Sequence, residues 1–180
     1  ALESPDSEAQ AILVSCDLVG VPAWVSGEVR AALADRAEDF DPAMLIMHAT
    51  HTHTAPTLDE GVYPEQDASV ETPTEYAATF VERVAEAAAE AWASRAPGGV
   101  SWAYGHAAVG QNRRLAYRDG SSKMYGKSDH PEFDGFEGAD DHGLKLLYTF
   151  DGAGGLTGVV VNVACPSQVS EHLKEVSADY

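Results

Sequence analysis

The sequence predicts an α/β fold, a mixed and largely parallel sheet flanked by helices, with a site at the carboxyl ends of the strands. Two short apolar runs, at 11–15 and 44–49, have the length and continuous apolarity of buried strands. Between them the period changes. Over 22–37, Trp24, Val25, Val29, Ala32 and Leu33 recur at three- and four-residue spacing, the signature of one helical face, with Glu28, Arg30 and Asp35 largely on the other. Strand, helix, strand in that order is the pattern of a parallel crossover unit.

The next helix is the best-marked element. Thr72 supplies a cap, Pro73 occupies the first helical position, and Glu75 stands where its carboxylate can reach back to the cap. Tyr76, Phe80, Val81, Val84, Ala88 and Trp92 then share a face, until Pro97 and two glycines end the pattern. A third strand is expected over 100–106. The polar, glycine-rich stretch 110–143 is longer than a connector needs and reads as a functional or mobile loop. Two further strands, 144–150 and 156–165, are joined by a turn through Asp151 and Gly152. No repeat or low-complexity linker interrupts the chain, so 1–180 reads as a single domain. Its abrupt ends, without an initiator Met and within a patterned stretch, read as those of an internal piece of a longer protein.

Composition excludes several classes of function. The 29 acidic residues against 11 Lys and Arg give a formal charge of −18, which repels phosphate backbones and argues against nucleic-acid binding. No run approaches the roughly 18 consecutive apolar residues of a membrane-spanning helix. Cys16 and Cys165 do not make a disulfide framework in a chain of 180 residues, so they leave the compartment open.

Three clusters could carry chemistry, each at an expected strand exit. His51 and His53 follow the 44–49 strand; if the backbone stays extended, their two-residue spacing points both imidazoles to one side, toward one ion or one substrate atom. His48, of opposite parity, reads as a hydrogen-bonded core histidine. Asn112, Arg113 and Arg114 follow the third strand, and a guanidinium can hold a carboxylate or a developing oxyanion; the alternative is a pair of surface ion pairs. Cys165, with Gln168 and His172 beyond it, follows the last strand, where a thiol can ligate zinc, act as a nucleophile, or simply be a small buried side chain. Asp17, ending the first strand, is placed to orient a histidine.

The stretch Thr50-His51-Thr52-His53 within 49–56, then Asn112 and Arg113, then an apolar strand leading to Val176-Ser177-Ala178-Asp179, resembles in order the N-terminal catalytic domain of the neutral (alkaline, non-lysosomal) ceramidases. The resemblance implies a zinc-dependent amidase in which His51 binds the metal, His53 assists catalysis and Arg113 helps at the reacting centre. Where that family carries a second zinc-binding histidine, this sequence has Cys165, a competent zinc ligand, with His172 as the alternative. The family's remaining zinc ligands lie beyond residue 180. The implied reaction is attack of zinc-activated water on an amide carbonyl of a small-molecule or lipid substrate. The 54–57 and 118–138 segments differ from the family, which leaves two further readings: a metal-dependent enzyme acting on a polar glycan or other non-lipid substrate, and a non-catalytic binding domain. A cysteine-nucleophile hydrolase built on Cys165 is a fourth reading.

Overall fold

In the computed structural model, residues 1–64 and 66–179 are described, and they divide into two compact units, 1–95 with 166–180 and 96–165. In the first unit, β1 (Leu2–Glu3) pairs antiparallel with β2 (Gln10–Cys16), and β2 pairs parallel with β3 (Leu45–Ala49). The crossover between β2 and β3 carries α1 (Ala23–Ala34), followed by a 3-10 turn (Pro42–Met44) whose entry is capped by the Asp41 carboxylate accepting from the Ala43 amide. Val25, Val29 and Leu33, one helical face, are fully buried. Trp24 is not part of that face: it is about half exposed and donates its indole N–H to Asp59.

Helix α2 (Pro73–Ala93) starts as its sequence dictates. The Thr72 hydroxyl accepts from the Glu75 amide, and the Glu75 carboxylate accepts from the Thr72 amide, so two donors that a helix start leaves orphaned are satisfied reciprocally. Its buried stripe, Ala77, Val81, Ala85, Ala88 and Trp92, packs on α1 and β2. Trp92 closes this core. Its ring lies 4.7 Å from that of Phe40, its N–H donates to Asp39 at 2.8 Å, and the Arg95 guanidinium covers its face. The core therefore lies between α1, α2 and the face of β2 and β3 that carries Ile12 and Leu45.

The second unit departs from the expected architecture. The strands β4 (Gly98–His106), β8 (Gly143–Asp151) and β9 (Leu156–Val163) form a sheet in the order β4-β8-β9, antiparallel throughout. The stretch expected to be a long loop folds into a second antiparallel sheet, β6-β5-β7, from β5 (Arg114–Tyr117), β6 (Ser122–Met124) and β7 (Phe133–Phe136). A largely parallel sheet flanked by helices is thus incorrect. Among the described residues β2 and β3 make the one parallel strand pair, and both α-helices belong to the first unit. Connection length fixes the direction of the last pair. A parallel pair needs a crossover of a dozen residues or more, whereas β8 and β9 are joined by a tight turn, where the Asp151 carboxylate accepts from the Ala153 and Gly155 amides and Gly154 takes a φ of 85°. The apolarity of β4 and β9 does not reflect burial on both faces, since Trp102 is 78% exposed and Val161 53%. Among the described residues, no helix is long and apolar enough to cross a membrane.

Candidate functional site

The segment 49–54 leaves β3 alongside the end of β2 and keeps pairing with it beyond the strands. Thr50 donates its amide to the Cys16 carbonyl and His51 donates its amide to the Leu18 carbonyl, each at 3.0 Å. His51 has a φ of 67°, in the left-handed region that non-glycine residues seldom occupy and that clusters at functional sites. The backbone is therefore not extended here. The two imidazoles nevertheless meet, with ring centroids 5.0 Å apart and edge to face. Side chains alternate through the motif: His51 and His53 are exposed, whereas Thr52 and Thr54 are buried.

The buried threonines anchor the loop to residues 166–179. Both hydroxyls reach the Ser177 carbonyl, at 3.2 and 3.0 Å, and Thr54 also bonds the Ser177 hydroxyl at 2.8 Å. The Ser177 amide donates back to the Thr54 carbonyl, and the fully buried Ser167 donates its amide to Thr50 and its hydroxyl to Ala178. Polar groups taken out of water cost least when bonded in this way, and such a lattice specifies one loop conformation.

Each histidine is held by a partner distant in sequence. The His51 Nδ1 lies 2.7 Å from the Val19 carbonyl oxygen; a carbonyl can only accept, so Nδ1 carries the proton and Nε2 keeps its lone pair. The His53 Nε2 lies 2.8 Å from Gln168 Nε2, and its Nδ1 lies 3.5 Å from a Glu171 carboxylate oxygen. Asp17 accepts from the Thr50 hydroxyl at 3.2 Å, bracing the loop beside His51. His48 is exposed on the outer face of β3, so it is not the core histidine its position suggested, and His172 is exposed as well.

The other two expected site residues lie in the second unit. Arg113 is half-buried and donates from a terminal guanidinium nitrogen to the Tyr125 hydroxyl at 2.7 Å, while Arg114 forms an ion pair with Glu137. That pair holds the Glu137 carboxyl below its ordinary value. Cys165 is half-buried just past β9. The exits of β4 and β9 share one edge of their sheet, because both flank the Gly143 end of β8. There Gly110 packs so closely that a Cβ on it would fall 2.7 Å from the Ala164 carbonyl and 3.2 Å from the Cys165 Cβ. Cys16 is a different kind of thiol: burial pushes its pKa up to about 11, and Asp17 adds to the effect.

An open cavity of about 1050 Å³ begins at Ala55, two residues after His53, and is walled by the 55–76 segment, including Pro56, Tyr63, Val70, Glu71 and Tyr76. Among the described residues, no three His, Cys, Asp or Glu side chains gather so as to hold a metal ion.

Two solved structures resemble this chain. One is the neutral ceramidase from Pseudomonas aeruginosa, 22% identical, with a TM-score of 0.63 over 97% of this chain and 27% of that one. The fold is ceramidase-like. The other is a ceramidase complexed with C2, also 22% identical, with a TM-score of 0.58 over 98% of this chain and 26% of that one. The chain thus spans about a quarter of the length of these ceramidases. No family model and no curated protein matches it.

Within the ceramidase-like fold, His51 and His53, singled out in the sequence, lie side by side, but the sequence did not show what holds them. A backbone carbonyl such as that of Val19 leaves no mark in a sequence. Gln168 and Glu171 did leave one, as polar residues following the β9 exit, but Cys165 drew the attention there. Tyr125, the partner of Arg113, has no signal beyond being an aromatic residue in a polar stretch.

Proposed function

We propose that this chain is part of a zinc-dependent hydrolase that cleaves an amide bond, with His51 as a metal ligand and His53 as the group that moves the proton. The observation that carries the reading is the His51 side chain: its Nδ1 proton is committed to the Val19 carbonyl, and its Nε2 lone pair is left exposed, the form of imidazole that binds zinc. An imidazole nitrogen and a thiol, as on His51 and Cys165, are donor types that zinc takes. Among the described residues no group of three such side chains is gathered; on the resemblance to the ceramidases, the remaining ligands would lie beyond residue 180.

Zinc, when bound, supplies Lewis acidity that activates water and polarises a carbonyl. The chain's own residues do the rest. His53 takes the proton from the attacking water and returns it to the leaving nitrogen as the C–N bond breaks, giving a carboxylic acid and an amine. Arg113 is assigned the developing oxyanion and Cys165 a metal ligand, both on the resemblance to ceramidases. The substrate's body lies in the cavity that starts at Ala55. The carboxylates of its wall, Glu60, Asp67, Glu71 and Glu75, suit a second reading, a polar substrate, whereas Ala55, Pro56, Tyr63, Val70 and Tyr76 supply the apolar surface that a lipid would meet.

The test is elemental analysis of the full-length protein beside assays on short polar and long-chain N-acyl amides. His51→Ala should lose zinc and turnover together, and His53→Ala should keep zinc and lose turnover. Normal zinc content and turnover in both variants would remove these assignments, and turnover confined to the polar amides would select the second reading.

A further inference from the structure

Tyr125 and Arg113 meet just beyond the paired ends of β6 and β5. Arg114 pairs with Met124 in the ladder of those strands, and one step further the Tyr125 amide donates to the Arg113 carbonyl at 2.8 Å. The side chains meet as well: a terminal guanidinium nitrogen of Arg113 donates to the Tyr125 hydroxyl at 2.7 Å, and the guanidinium carbon lies 5.3 Å from the centre of the Tyr125 ring. Tyr125 has a φ of 53°, in the left-handed region where the Cβ of a bulky residue crowds the backbone. A glycine would take this position without that cost. Burial does not explain the tyrosine either, since it is 62% exposed. What tyrosine brings here and glycine cannot is a hydroxyl and a ring against Arg113, and residues held in strained conformations cluster where function needs them.

We infer that Tyr125 is a positioning residue that aims the Arg113 guanidinium. The inference rests on the oxyanion role proposed for Arg113 and deepens it, because a guanidinium on a flexible stem stabilises a developing charge best when it is held in place beforehand. A guanidinium carries five N–H donors in a rigid fork, and the Tyr125 hydroxyl takes one of them, so this contact gives the fork a direction whatever its other donors meet. The electron-rich ring face adds a second restraint on the same cation. Arg114, next in sequence, is engaged differently: it pairs with Glu137 and donates to the Ser122 hydroxyl, tying the start of β5 to its two neighbouring strands. The two arginines thus divide the work, one anchoring the turn and the other presented from it.

The experiment uses the full-length protein and short- and long-chain N-acyl amides, with Tyr125→Phe, which keeps the ring and loses the hydroxyl, Tyr125→Gly, Arg113→Ala, and the double variant of Arg113→Ala and Tyr125→Phe. Tyr125→Phe should lower kcat by about 10- to 100-fold with KM little changed, and should add no further loss in the Arg113→Ala background. Tyr125→Gly relieves the backbone, so its melting temperature should not fall below that of wild type although its turnover falls. Phenylglyoxal labelling located by peptide mass mapping reads the contact without turnover, and Arg113 should label faster in Tyr125→Phe than in wild type. Wild-type turnover in Tyr125→Phe, a further loss in the double variant, unchanged labelling of Arg113, or a marked fall in the melting temperature of Tyr125→Gly would overturn the inference. Full turnover in Arg113→Ala together with faster labelling in Tyr125→Phe would defeat the oxyanion role alone. Lost turnover in Arg113→Ala with wild-type turnover in Tyr125→Phe would defeat this inference alone.

Discussion

The Val19 carbonyl and the His51 imidazole, 32 residues apart in sequence, lie 2.7 Å from each other because the loops leaving β2 and β3 continue side by side. The parallel strand pair thus presents a fixed acceptor to one ring nitrogen and leaves the other its lone pair.

The first prediction concerns the strain this contact maintains. His51→Ala and His51→Gly lose the same side chain, but only glycine is at ease at a φ of 67°. Chemical denaturation should find the glycine variant more stable than the alanine variant by about 1 kcal/mol, with both inactive. Equal stabilities would mean that the left-handed backbone carries no cost here.

A second prediction tests the threonine lattice. Thr52→Val keeps the side-chain shape but strips a fully buried hydroxyl from Thr54 and the Ser177 carbonyl. Unsatisfied buried partners should cost about 1–3 kcal/mol by urea denaturation. Thr57→Val, at a half-buried loop position outside that lattice whose hydroxyl bonds backbone groups of Asp59, should cost less.

How much of this was legible beforehand varied with the range of the interaction. The Thr72 and Glu75 capping box is local, three residues wide, and the structure has it as the sequence predicts. The placement of His51 and His53 on one side is equally local, yet the argument for it assumed an extended chain, and the rings meet although His51 is left-handed. Strand direction in the second unit is a long-range property. The apolar runs of β4 and β9 carry no record of their partners, and the tight turn at Gly154 was the one local feature that argued for antiparallel pairing. The three strands within 110–143 were missed because they are three or four residues long, too short for a period to show.

A third prediction follows from the capping box. Hydrogen bonds from the Thr72 amide and hydroxyl hold the Glu75 carboxyl below its ordinary value. Because the folded-state pKa is the lower one, the stabilisation is fully present above the unfolded-state value and is lost as pH falls through the folded-state value. The melting temperature of Glu75→Ala should therefore lie below wild type at neutral pH, and the gap should narrow in acid. A gap that is constant with pH would remove Glu75 from the account.

A fourth prediction separates the two thiols. With its pKa pushed up to about 11, Cys16 has almost no thiolate near neutrality. Iodoacetamide followed by peptide mass mapping should leave Cys16 unmodified in the native chain and label it after unfolding. Rapid native labelling of Cys16 would show that the β2 end opens readily.

The placement of the indoles has a practical consequence for every stability measurement above. Trp92, 3% exposed in the first unit, sits in an apolar setting whose emission shifts to longer wavelength on unfolding, whereas Trp102 of the second unit, 78% exposed, is already wet. Fluorescence will follow the melting of the α1–α2 core and be nearly blind to the sheets of 96–165. A dye or circular-dichroism signal that changes at a different denaturant concentration from the tryptophan signal would be the optical trace of the two units unfolding in separate steps.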